Sequence, residues 1–155
     1  MATLFIDAPE NKKEFKRVAA AVYKTLGQKD PLKAEIVYLS AEEMQKLNAS
    51  ARGVDAVTDV LSFPSIDGAR GKVLLKKDNL CGVDGNRLFI GSIALCREKI
   101  ASQAIELGHS EQRETVYLTV HGLMHLFGYD HVEASDKKQM REKEKEALAL
   151  LGITQ

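Results

Sequence analysis

Apolar residues recur at helical spacing from residue 10 to about residue 26, where Phe15, Val18, Ala19, Val22 and Leu26 share one face and Gly27 stands at the position of a C-cap. A helix with that stripe packs on a sheet. The flanking segments supply strands: residues 3–7 alternate weakly and are closed by Pro9, and residues 34–39 are β-prone. Ser40 then opens a capping box with Glu43 ahead of Met44 and Leu47, which predicts a second helix to about residue 51. Beyond the Gly53 turn comes a strand stopped by Pro64, and residues 87–96 read as a buried strand with a break at Gly91. Ile100, Ala104 and Leu107 mark a helix over residues 97–107. Ser110 is an N-cap for a mostly apolar helix running to about Phe127, with Glu111 and Glu114 in its electropositive first turn.

Two segments carry many charges. Residues 65–86 carry Gly68, Gly71, Gly82 and Gly85 among Arg70, Lys72, Lys76 and Lys77, which predicts a long loop with a hairpin around residues 73–75. Residues 134–151 form a terminal helix in which Lys137, Lys138, Arg141, Lys143 and Lys145 mix with Glu142, Glu144 and Glu146. Alternating signs predict a solvated, salt-bridged helix and not a nucleic-acid-binding stripe.

The order β, α, β, α, β, loop, β, α, α, α predicts an α+β or mixed α/β fold, a small sheet covering helices with the 111–127 helix at the centre. A length of 155 residues fits one domain, 1–155. Hydrophobic residues at 45% and charged residues at 28% are those of an ordinary globular protein, and 22 Lys plus Arg balance 22 Asp plus Glu, so any nucleic-acid contact must use a local patch. No apolar run is long enough to span a bilayer and residues 1–7 do not resemble a signal peptide, which makes the cytoplasm the expected compartment, with no membrane partner. Cys81 and Cys96 belong to no metal or redox pattern and read as free thiols.

The chemistry concentrates in His121-Gly122-Leu123-Met124-His125-Leu126-Phe127-Gly128-Tyr129-Asp130-His131, which holds three of the four histidines. His121 and His125, four apart, project from one helix face and can chelate one ion. Gly128 allows the helix to stop and the chain to bring His131 back toward them. Taken singly, each is compatible with an ordinary buried histidine. Together, among Val116, Leu118, Val120, Leu123 and Leu126, unpaired imidazoles would be costly, and three ligands with an open position are the catalytic zinc arrangement, one ion per chain. The spacing is also that of metzincin proteases, but their general-base Glu is here Gly122, which argues against peptidase chemistry.

The run resembles the signature H-G-x-x-H-L-x-G-Y-D-H of the YbeY family of zinc-dependent bacterial endoribonucleases. Residues 47–64 resemble the family's second signature, L-N-x-x-x-R-G-x-D-x-x-T-D-V-L-S-F-P. The resemblance covers most of residues 36–131. It implies a mixed sheet of about four strands around the metal-bearing helix. It also implies a catalytic role for Arg52 near the ion, since phosphoryl transfer wants a guanidinium by the developing charge, although a lone Arg at a helix end is ordinarily only solvated. It further implies cleavage of single-stranded RNA in rRNA processing (16S rRNA 3′-end maturation) and ribosome quality control, with the small ribosomal subunit and its assembly factors as partners. A binding factor of ribosome assembly whose zinc secures the fold is the alternative. In this setting the 65–86 loop either grips RNA phosphates or is plainly solvated. One departure stands out: the family's usual G-D-I is Gly91-Ser92-Ile93 here, and Ser hydrogen-bonds but carries no charge. His109, in a G-H-S-x-x-R-E run common to relatives, reads as structural because three ligands are already present.

Overall fold

The computed structural model describes residues 3–153. In chain order the elements are β1 (Leu4–Asp7), α1 (Lys12–Thr25), β2 (Leu32–Leu39), α2 (Ala41–Arg52), β3 (Val60–Pro64), β4 (Val83–Asp84), β5 (Arg87–Cys96), α3 (Arg97–Leu107), α4 (Glu111–Leu126) and α5 (Ala134–Leu150). The sheet runs β1-β2-β5-β3, with β4 paired to β5 beside that path. β1–β2 and β2–β5 are parallel, whereas β3 and β4 are antiparallel to β5. The α+β expectation therefore holds, with two-residue β4 added to the expected four strands.

The parallel pair β1–β2 needs a crossover, and α1 is that crossover, burying Phe15, Val18, Ala19 and Val22. Central β5 separates two cores: Ile93 and Leu95 join the larger one with α1, α4 and α5, while Ala94 and Cys96 join Met44 and Leu61 in a smaller one with α2. A strand buried on both faces explains the near-continuous apolar run from Leu88 to Cys96.

Helix α4 is central. Its buried residues include Val116, Leu118, Val120, Leu123, Met124 and Leu126, and it packs on β3, β5, α1, α3 and α5. It lies tight on the sheet because two glycines permit it. A Cβ on Gly122 would come within 3.0 Å of Ile93 Cδ1 and 3.2 Å of Ser62 Oγ, and one on Gly91 would run into the Phe63 carbonyl oxygen and the Leu126 side chain. The position that holds a peptidase's general base is thus closed against the sheet.

Two expectations are corrected. The hairpin lies not at residues 73–75 but at β4–β5, where Gly85 (φ 62°) leads the two-residue turn Gly85-Asn86. Leu74 is instead a buried loop residue, fixed when Gln28 accepts from its amide and donates to the Lys72 carbonyl. Nor is α5 simply solvated, because Met140, Glu144, Ala147 and Leu148 form a buried stripe. Among the described residues, no helix is long and apolar enough to cross a membrane.

Candidate metal centre

His121 and His125 lie one turn apart on α4, with their Nε2 atoms 3.2 Å from each other. Two nitrogens bound tetrahedrally to one zinc at the usual bond length stand ~3.3 Å apart, so this pair already has the spacing of a chelate. The helix stops as planned: Gly128 takes φ 91°, its amide bonds the His125 carbonyl, and the Tyr129 amide reaches back to Met124. The turn delivers His131, whose ring centroid lies 5.7 Å from that of His121 and 5.2 Å from that of His125. One nitrogen from each ring lies within 4.8 Å of the others, so the triad can hold a metal ion.

The turn is held from outside. Arg70 packs so closely that a Cβ on Gly128 would sit 2.6 Å from the Arg70 amide nitrogen. The Arg70 guanidinium donates to the Gly128 carbonyl (3.2 Å), to Asp130 (3.1 Å) and to Asp136 at the start of α5 (2.6 Å). Arg70 therefore braces the His131 segment and is not a free cation for RNA. Lys76 is likewise engaged, with Asn86, while Lys72 and Lys77 are exposed.

Burial, reinforced by the neighbouring His121 and His131 and to a smaller degree by Arg52, lowers the His125 pKa to about 4, against a hydrogen bond with the Tyr129 backbone that works the other way. His125 is thereby neutral at physiological pH, the form that binds metal. His121 Nδ1 lies 2.6 Å from Glu144 Oε2, which leaves its Nε2 facing His125.

Arg52 is the last residue of α2, followed by Gly53 in the left-handed region (φ 69°). It is exposed, no carboxylate lies within ion-pair distance of it among the described residues, and its charge reaches His125. Ser92, where the family usually has Asp, contacts Glu35 on β2 at 3.4 Å and not the histidines. His109 stands outside the triad, 3.5 Å from the buried Glu114.

Sequence reasoning missed Glu144 and the bracing role of Arg70. For Glu144 a signal existed: Met140, Ala147, Leu148 and Leu151 lie at helical spacing around it, so Glu144 occupies the apolar stripe and not the charged face. Nothing local marks Arg70, whose partners lie 58 to 66 residues away.

Comparison with known proteins gives one answer. The family described as Endoribonuclease YbeY matches residues 2–152. The Endoribonuclease YbeY of Clostridium perfringens (strain SM101 / Type A) is 38% identical over 164 aligned residues, spanning 97% of this chain and 98% of that protein. That of Clostridium botulinum (strain Langeland) is 42% identical over 123 residues, 76% of this chain and 74% of the other. The solution structure of TM1509 from Thermotoga maritima shares the fold, with a TM-score of 0.57 at 24% identity over 98% of this chain and 90% of that one. With the two motifs, the histidine triad and the near full-length match in agreement, this chain belongs to the YbeY endoribonuclease family.

Proposed function

We propose that the chain is a zinc-dependent endoribonuclease, with one ion held by His121, His125 and His131 and Arg52 as a catalytic residue. In this reading it cuts single-stranded RNA in the cytoplasm during rRNA processing, including 16S 3′-end maturation, and in ribosome quality control, with the small subunit and assembly factors as partners. The observation that carries the reading is the open three-histidine cluster, with its 3.2 Å Nε2 pair, in a chain matched to endoribonucleases over 97% of its length.

The donor set suits the ion: three imidazole nitrogens, no fourth Cys or His in the cluster among the described residues, and a hydrogen-bonded second nitrogen on His121. When bound, zinc supplies a Lewis acid toward phosphate oxygens and acidifies water. The chain's own groups do the rest. Arg52, unpaired by any described carboxylate, offers its planar fork to a phosphate and opposes the charge that grows there. The histidines remain ligands, and Gly122 provides no base for amide hydrolysis.

A defined single-stranded RNA and its duplex counterpart, incubated with zinc-loaded protein and with His121→Ala, test the proposal. Cleavage of the single strand alone, lost in the variant, is expected. Tight RNA binding without cleavage would replace this reading with that of an assembly factor whose zinc secures the fold. Product ends identify the nucleophile, because attack by the RNA 2′-hydroxyl leaves a 2′,3′-cyclic phosphate and a 5′-hydroxyl, whereas water leaves no cyclic phosphate.

A further inference from the structure

Glu144 is 7% exposed, and its one side-chain hydrogen bond among the described residues is the 2.6 Å contact with His121 Nδ1. Met140, Ala147 and Leu148 flank it on the buried stripe of α5, where packing alone would favour an apolar residue over a carboxylate that must leave water. A carboxylate oxygen 2.6 Å from a ring nitrogen is placed to accept the proton that nitrogen carries, so the contact has the geometry of Nδ1–H donating to Glu144 with the Nε2 lone pair left free. Nε2 is the atom that faces His125 Nε2 across 3.2 Å.

We propose that Glu144 is a positioning residue of the metal centre: it selects the Nδ1–H tautomer of His121, aims Nε2 at the shared ligand position, and so makes metal affinity depend on the docking of α5. The inference rests on the metal-binding reading above. The three ligands are held differently, since His125 bonds the Tyr129 backbone and His131 is exposed with no carboxylate bonded to its ring among the described residues. Among the described residues, His121 is the one of the three whose ring is bonded by a carboxylate on another helix, and α5 touches a ligand ring through that tie.

Full-length parent, Glu144→Gln and Glu144→Leu are compared in two measurements. The first is zinc affinity by competition with a chromophoric chelator. The second is the tautomer of His121 in metal-free protein at alkaline pH, from long-range proton–nitrogen NMR assigned with His121→Gln. Outer partners of metal-bound histidines typically contribute 10- to 100-fold, so Glu144→Leu is expected to weaken zinc binding by about that factor. Glu144→Gln, which keeps an acceptor but no charge, falls between. The His121 ring is expected to carry Nδ1–H in the parent and Nε2–H in Glu144→Leu. Unchanged affinity in a folded Glu144→Gln or Glu144→Leu overturns the proposal, whatever the tautomer. Should the parent bind no zinc, the metal reading fails, and an unchanged His121 tautomer would then refute the role of Glu144 separately.

Discussion

The Arg70 guanidinium donates to Asp136 Oδ1 at 2.6 Å, joining a loop far upstream to the first turn of α5, and with its bonds to Gly128 and Asp130 encloses the segment that ends in His131. Arg70→Ala should therefore weaken zinc binding by roughly tenfold while leaving α4 folded, as loss of an outer support does at metal sites. Chelator competition checks this. The hydrogen bond from Arg70 holds the Asp136 carboxyl below its usual range, so its stabilising contribution is complete above the ordinary carboxylate pKa and lost as pH falls through the depressed value. The drop in melting temperature caused by Arg70→Ala should accordingly be constant from pH 6 to 8 and shrink only in acid.

Arg52 is exposed and makes no ion pair with any described carboxylate, so Arg52→Ala should change stability by no more than about 0.5 kcal/mol. RNA cleavage should instead fall by about a hundredfold, near 3 kcal/mol of transition-state stabilisation. Arg52→Lys separates charge from geometry, because it keeps the cation and loses the fork. Parental turnover in Arg52→Ala would remove this residue from the chemistry.

The pKa of His125 is lowered to about 4 in the fold, against about 6.5 for an unperturbed imidazole, so between those values the unfolded chain binds more protons. Stability of the metal-free protein should be full above pH 6.5 and decline as pH falls toward 4. Urea titrations across that window check the sign, and His125→Gln should flatten the slope. Zinc affinity should also fall on acidification, because each imidazole ligand must be neutral.

Gly122 lies against Ile93 and Ser62, so Gly122→Glu should not create a peptidase but should bury an unpaired carboxylate and destabilise the fold by several kcal/mol. Gly122→Ala sets crowding of about 1–3 kcal/mol against a helix-propensity gain of about 1 kcal/mol, and mild destabilisation is expected. Thermal melts measure both. Proteolysis of casein by the zinc-loaded parent, lost in His125→Ala, would contradict the absence of peptidase chemistry.

What could be read from residue order is what is local. The capping box of Ser40 with Glu43, the stripe of α1 and the spacing of His121, His125 and His131 are set by neighbours a few residues apart, and each is found in place. Reading α5 by its alternating charges overlooked that Met140, Ala147 and Leu148 define the buried face that includes Glu144. In the 65–86 loop, apolar Val73 to Leu75 suggested pairing that the chain does not make. Leu74 is held by Gln28, 46 residues upstream, and the true turn is set by Gly85. A long-range partner decided the case of Leu74, and no periodicity encodes it.

The unequal footing of the three histidines has a kinetic consequence. His121 and His125 ride on α4, whose amides are shut in on several sides and should exchange with solvent mainly when the whole chain unfolds. His131 is exposed, on a turn fastened by partly solvated contacts of Arg70. A bound ion should therefore escape by a one-sided route, His131 swinging away first, and residence time would follow the opening rate of that turn and not the lifetime of the fold.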